Sequence, residues 1–115
     1  MQNRENKFLV IGAGPAGLSH AKALKDAGVA YEQVEADVEV GGNWYHGTYR
    51  TAHIISSKKT TEFTDFPMPA DYPDFPSQRQ MGDYYKLYAD TFRLRPQIEF
   101  NKKVIAVRPR ENELW

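Results

Sequence analysis

Six residues near the amino terminus, Gly12-Ala13-Gly14-Pro15-Ala16-Gly17, have the types and spacing that let a backbone hold a diphosphate. Phosphate oxygens need several N–H donors close together and little side-chain bulk. A glycine turn at the start of a helix supplies both, and the positive end of the helix dipole adds attraction for the negative charge. Each glycine has its own task. Gly12 makes the tight turn, Gly14 lets the backbone approach a pyrophosphate, and Gly17 lets the helix pack closely. Pro15 suits the first helical position, where its missing N–H is no loss. Glu35 stands 18 residues beyond Gly17. A carboxylate there accepts hydrogen bonds from ribose hydroxyls. It is followed by Ala36 and not by arginine, and a carboxylate repels a 2′-phosphate, so the site favours an unphosphorylated ribose, as in FAD or NAD.

These residues leave FAD and NAD open. Gly41-Gly42, six residues past Glu35, leans toward FAD, because a longer cofactor could meet backbone there, although an ordinary Gly-Gly turn would look the same. Other chemistry finds less support. The three histidines, His20, His46 and His53, have no metal-ligand spacing, and no cysteine joins them, so no metal site is expected. Asp65, Asp71 and Asp74 stand among prolines and read as turn residues that bond their own backbone. No serine elbow with a matching histidine and aspartate appears, so hydrolase chemistry is not indicated.

The elements that must position the turn follow from periodicity. Phe8 to Ile11 is a continuous apolar run and reads as a buried parallel strand, apolar on both faces. Pro15 to Ala27 is rich in Ala, Leu and Lys, with Leu18, Ala21 and Leu24 on one face, and Gly28 closes the helix. Val29 to Glu35 reads as a second strand, which completes a right-handed βαβ unit. Residues 41 to 76 show little regular pattern. Pro67, Pro69, Pro73 and Pro76 exclude a helix or central strand over 65 to 76, while Phe63, Phe66, Tyr72 and Phe75 anchor an ordered loop. Ser77 and Gln80 form a capping-box pattern. Behind it Met81, Tyr84, Tyr85, Tyr88 and Phe92 line one face of an amphipathic helix running to about Leu94 and ended by Pro96. Their helical spacing marks them as core residues, not as a stacking platform. Gln97 to Phe100 reads as a third strand, Val104 to Val107 as a fourth, Pro109 to Asn112 as a turn, and Leu114-Trp115 as the opening of a returning strand.

The expected fold class is α/β: a Rossmann-like FAD-binding βαβ unit with a three-stranded parallel core in order 3-2-1 and the start of an antiparallel β-meander. A chain that stops just after a hairpin turn is expected to be an incomplete domain. Residues 1–115 then form the N-terminal part of an FAD-binding domain. Strands missing from the far side of the first would leave an apolar edge, an association hazard.

Composition narrows the partners. Lys plus Arg equals Asp plus Glu, at 15 each, so neither nucleic acid nor a membrane surface is expected to bind. The absence of cysteine fits a reducing cytoplasm, and Phe8 to Ile11 is too short an apolar run to span a bilayer or serve as a signal core. A cytoplasmic protein with a small-molecule substrate is expected.

Further along the chain the sequence resembles the flavin-containing monooxygenase family, from Lys7 to about Val107. The glycine turn resembles that family's FAD fingerprint, and Gly41-Gly42-Asn43-Trp44 its GGxW segment. Ser57-Lys58 with Phe63-Thr64-Asp65-Phe66-Pro67-Met68-Pro69, then Asp71-Tyr72-Pro73-Asp74-Phe75-Pro76, is similar to its more specific proline-rich run. The resemblance implies an enzyme that holds FAD, reduces it with NADPH or NADH, and traps oxygen as a flavin hydroperoxide. That species gives one oxygen atom to a soft nucleophile, an amine nitrogen or a sulfide sulfur. It also implies that Gly12, Ala13, Gly14, Pro15 and Ala16 hold the pyrophosphate and Glu35 the adenosine ribose. Gly42, Asn43 and Trp44 then lie along the flavin end, with Ile55 and Ser56 near the isoalloxazine. The second nucleotide fingerprint of the family is absent from residues 1 to 115, so NADPH or NADH would be bound mainly by a part not present, and this stretch alone is not expected to turn over. The resemblance admits a homodimer of the full-length protein. Two other readings stand beside it: a dinucleotide-binding module without its own chemistry, and a flavin oxidoreductase without oxygen insertion.

One position departs from the family pattern. Many members carry asparagine where this chain has Ile55, and isoleucine cannot donate a hydrogen bond to flavin. Ser56, Ser57 or His53 would have to take over part of that role. An Ile55→Asn variant of the full-length enzyme is therefore expected to hold the hydroperoxide longer. Stopped-flow spectra showing unchanged or faster decay would contradict this.

Overall fold

A computed structural model describes residues 7–109. Three parallel strands form one sheet in the order β1-β2-β3: β1 is Phe8–Ile11, β2 is Tyr31–Val34 and β3 is Ile98–Glu99. Phe8 stands opposite Tyr31 and Ile11 opposite Val34, while Gln33 and Val34 of β2 meet Ile98 and Glu99 on the other side. This is the expected 3-2-1 order. The second and third strands are shorter than their sequence patterns suggest, because the ladder closes only where both neighbours run alongside.

Helix α1, Pro15–Asp26, crosses from β1 to β2, with Leu18 and Ala21 fully buried. It ends in a Schellman turn: Gly28 N–H reaches Lys25 O and Val29 N–H reaches Leu24 O, with Gly28 at φ +70°. Helix α3, Gln78–Thr91, opens with the complete capping box. Gln80 N–H donates to Ser77 Oγ at 3.2 Å and Ser77 N–H donates to Gln80 Oε1 at 2.9 Å. It stops three residues short of Leu94, and Pro96 is not the cause. Leu94 N–H bonds Ala89 O and Arg93 N–H bonds Asp90 O, which places Arg93 at φ +55°. A left-handed non-glycine residue costs roughly 1–2 kcal/mol. Here that cost is offset by driving Leu94 completely into the core. Pro96 lies in the following 3-10 turn, Arg95–Gln97.

The stretch between β2 and α3 is irregular, as expected, apart from a 3-10 turn at Gly42–Trp44 and one helical turn, α2, at Lys58–Thr61. Its aromatic anchors dock on α3. Phe63 and Phe66 pack against Tyr84, Tyr85, Tyr88 and Phe92 with ring centroids 4.6–6.1 Å apart, mostly tilted or edge-on. Tyr84 binds the loop at two points: its hydroxyl accepts from Phe63 N–H and donates to Phe66 O. Phe75 is exposed and anchors nothing in this core. Asp65 is not a self-bonded turn residue; its carboxylate pairs at 3.0 Å with Lys22 of α1, whose ammonium also meets Asp26 and lies 4.5 Å from the Phe92 ring centroid. This one lysine fastens α1 to the loop and to the end of α3.

A further expectation fails. The first strand is not buried on both faces: Phe8, Leu9 and Ile11 are 62%, 46% and 53% exposed. β1 is an edge strand among the described residues, so nothing stands on its far side and α1 covers only part of it. Among the described residues Val104 to Val107 makes no ladder, and Ile105 is exposed. A fourth strand needs a partner to bond with; the returning strand expected at Leu114-Trp115 lies outside the described residues, as does most of the turn before it. No described helix is long and apolar enough to cross a membrane.

Burial pushes the phenols of Tyr85 and Tyr88 up to about 12. A phenol whose pKa is raised on folding stabilises the native state below its unfolded value, near 10, and loses that contribution as pH rises toward 12. The thermal midpoint of the protein is expected to fall as pH climbs from 10 to 12, and Tyr85→Phe should make that fall shallower. Melting curves from circular dichroism across this range test it; a flat profile would contradict it.

Candidate functional site

The glycine turn leaves β1 at its carboxyl end, where the sheet hands the chain to α1. Gly12 N–H still belongs to the ladder and donates to Val34 O at 2.8 Å. Gly12 then takes φ +101°, a conformation that L side chains rarely adopt. Its carbonyl turns inward and accepts from the Gln33 side-chain amide at 2.8 Å. A Cβ on Gly17 would lie 2.8 Å from the Gly12 carbonyl carbon and closer still to its oxygen, so only glycine fits there. This contact is the close helix–strand packing expected of the third glycine.

Helix α1 begins without a side-chain cap, at Gly14, and Pro15 holds its first position. Among the described residues, no acceptor takes the N–H groups of Gly14, Ala16 or Gly17. Three donors at a helix start, beside a positive dipole end, form an anion seat.

The Gly41-Gly42 segment closes over the turn. Gly41 N–H donates to Ala13 O at 2.9 Å. Gly41 and Gly42 both sit at positive φ, +115° and +57°, and a Cβ on Gly42 would come within 3.1 Å of Gly14 Cα. Two backbones therefore touch face to face, and a cradle walled by main chain results.

Glu35 is buried, and its carboxylate serves the scaffold. Ala13 N–H donates to Oε1 at 3.1 Å and Asp37 N–H to Oε2 at 3.4 Å. An ionised carboxylate accepts about four hydrogen bonds, so capacity for ribose hydroxyls remains. Asp37 follows in the same loop. Its carboxyl is held below the usual range chiefly by the Val38 N–H bond, against the opposing effect of burial, with a further lowering from His46 at 2.7 Å. Glu39 pairs with Arg95, whose guanidinium also holds Asp90. The loop thus presents carboxylates at 35, 37 and 39, and the nearby Arg95 is already engaged. A 2′-phosphate would meet this concentration of carboxylates.

Gly12 to Gly17, Glu35 and Gly42 thus form one cluster. Asn43 and Trp44 continue from it in the 3-10 turn, Asn43 exposed and Trp44 half-buried. Ile55 and Ser56 lie apart. Ile55 is 92% exposed, and Ser56 Oγ bonds Thr61 Oγ1 at 2.6 Å. No hydrogen bond among the described residues joins either to the glycine turn. The link runs through α3. Gln78 Nε2 donates to Trp44 O at 2.7 Å, while Gln78 N–H bonds Ala52 O at 2.8 Å, two residues before the buried Ile54. Gln33 and Gln78 are absent from the sequence-derived site. A polar residue inside a short strand was the available sign for Gln33. Nothing local marks Gln78, whose partner is 34 positions away.

A family model described as "FMO-like: Flavin-binding monooxygenase-like" matches residues 5–113. The chain is 37% identical over 111 residues to "Probable indole-3-pyruvate monooxygenase YUCCA9" of Arabidopsis thaliana, covering 96% of this chain and 26% of the relative. It is 34% identical over 113 residues to the N-oxide-forming dimethylaniline monooxygenase 2 of Mus musculus, covering 90% and 21%. Among solved structures, OTEMO complexed with FAD and NADP superposes with a TM-score of 0.83 at 28% identity, over 97% of this chain and 22% of that one. A flavin-containing monooxygenase from Stenotrophomonas maltophilia superposes at 0.72 and 27% identity, over 81% and 27%. The chain spans about a fifth to a quarter of the length of the curated relatives it matches.

Gly17→Ala drives a methyl into the Gly12 carbonyl, whereas Gly12→Ala meets open space and suffers only from its positive φ. Gly17→Ala is expected to lower the thermal midpoint more than Gly12→Ala. Parallel melts of both variants check this; the reverse order would show that the α1–β1 contact is not the tighter constraint.

Proposed function

We propose, for a chain that belongs to the flavin-binding monooxygenase-like family, that its two glycine segments seat the dinucleotide of FAD in the front part of a longer flavin-dependent monooxygenase. The observation that carries this reading is the contact of Gly42 with Gly14 directly beside the free N–H groups that open α1. That arrangement fits a pyrophosphate: three donors converge at a helix start and no Cβ fills the space. Gly14, Ala16 and Gly17 donate to the phosphate oxygens, with Pro15 fixing the first helical turn. Glu35 accepts from the adenosine ribose with the lone pairs that Ala13 and Asp37 leave free. Gly42, Asn43 and Trp44 carry the backbone along toward the flavin, and Ile55 and Ser56 border the ring. The acidic loop at 35 to 39 directs the unphosphorylated adenosine of FAD here and leaves NADPH or NADH to the remainder of the longer protein.

When bound, the flavin supplies the transfer of one oxygen atom from O2 to a soft nucleophile, an amine nitrogen or sulfide sulfur, at the expense of NADPH or NADH. The part played by this chain is to bind and orient. Residues 12 to 17 fix one end of the cofactor on a rigid strand–helix corner, and α3 holds Trp44 and the 52–54 segment at a set spacing through Gln78. The substrate is a small molecule, and the cellular site is the cytoplasm.

The full-length protein, purified without added cofactor, is expected to carry FAD and to consume O2 with NADPH or NADH. It should form an N-oxide or sulfoxide from a simple tertiary amine or thioether. FAD binding and nicotinamide oxidation with hydrogen peroxide as the sole oxygen product would favour an oxidoreductase without oxygen insertion, a reading consistent with the apolar Ile55. Failure to bind FAD would end both readings.

A further inference from the structure

Gln33 is a neutral polar side chain on the central strand of the sheet, fully buried, with Val10 opposite on one side and Ile98 on the other. An aliphatic residue would fill that space without leaving Gln33 Oε1 buried and lacking a partner, as it is among the described residues. What the amide gains is one bond, to the carbonyl of Gly12. Two residues on, just past the end of β2, Glu35 accepts the N–H of Ala13. Gly12 C=O and Ala13 N–H belong to the same peptide unit.

A trans peptide points its C=O and N–H in opposite directions. Residues two apart on a strand stand roughly 6.6 Å apart on the same face. Gln33 and Glu35 thus reach the two poles of one peptide, the first as donor and the second as acceptor. Exchanging the two partners would set acceptor against acceptor at Gly12. The peptide therefore has a single allowed orientation, and rotation about Gly12, the most permissive residue of the turn, is blocked. The donors that follow at Gly14, Ala16 and Gly17 take their direction from that peptide.

We infer that Gln33 is a positioning residue for the cofactor, acting with Glu35 as a clamp that presets the dinucleotide-binding turn before any ligand arrives. This rests on the FAD reading above. The clamp keeps Gly12 in its left-handed conformation in the empty protein, so binding does not have to order the turn.

The test uses the full-length protein stripped of flavin, titrated with FAD by fluorescence quenching and with ADP by calorimetry. Gln33→Met keeps the buried volume and removes both the donor and the unpartnered oxygen. Its Kd for FAD and for ADP is expected to rise about tenfold, the size of one hydrogen bond's net contribution, while the thermal midpoint of the stripped protein stays level or rises. Unchanged Kd values with wild-type protein binding FAD normally would overturn the clamp alone. A midpoint that drops in step with affinity would reduce Gln33 to a packing residue, which also overturns it. Wild-type protein that binds neither FAD nor ADP would remove the FAD reading itself. Should the variant not fold, hydrogen exchange of the Gln33 side-chain amide in stripped wild-type protein decides: one protected N–H supports the clamp, and two freely exchanging ones refute it.

Discussion

The peptide unit between Gly12 and Ala13 is where the structure is most tightly determined. Its carbonyl faces the Gln33 amide and the Cα of Gly17; its N–H faces Glu35. The next carbonyl, of Ala13, receives Gly41. The end of β1, the first turn of α1, the end of β2 and the glycine loop beyond it therefore share one small volume. None of them can shift without breaking a buried hydrogen bond, and an unmade buried bond costs about 1–3 kcal/mol. The glycines remove the side chains that would otherwise fill this space, and Gln33 of β2 with Glu35 just beyond it supplies the two polar groups that fix what remains.

Around that corner α3 acts as a buttress. Its capping box sets where the helix starts, and its aromatic face receives Phe63 and Phe66 from a loop with almost no regular structure of its own. Such a loop has few backbone bonds, so ring packing and the two bonds to Tyr84 hold it in place. Lys22 and Arg95 complete the arrangement from outside, each bridging elements far apart in sequence. These ion pairs are partly exposed and contribute little individually. Their role is to fix geometry: Arg95 ties the acidic loop after β2 to the end of α3, beside the region where Glu35 and Asp37 lie.

Much of this was legible in the residues. The βαβ unit, the tight turn at Gly12, the close packing at Gly17, the closing Gly28, the capping box at Ser77 and Gln80, and the core role of Met81, Tyr84, Tyr85 and Tyr88 all follow from local periodicity and cap chemistry. The misses share a cause. Phe8, Leu9 and Ile11 look like a strand buried on both faces, yet burial depends on what lies alongside, which hydrophobicity does not specify. Arg93 ends α3 through a left-handed turn that no glycine announces, because burying Leu94 outweighs the local strain.

The kinds of element and the order in which they follow were set by local sequence, since each depends on contacts within a few residues. Tertiary structure alone decided which backbones meet. Gly42 faces Gly14, Gln33 and Glu35 share a single peptide, Gln78 spans Trp44 and Ala52, and Ile55 points outward. These contacts join residues about 20 to 35 positions apart. Their formation depends on how α1 and α3 pack on the sheet, and local sequence does not encode that packing.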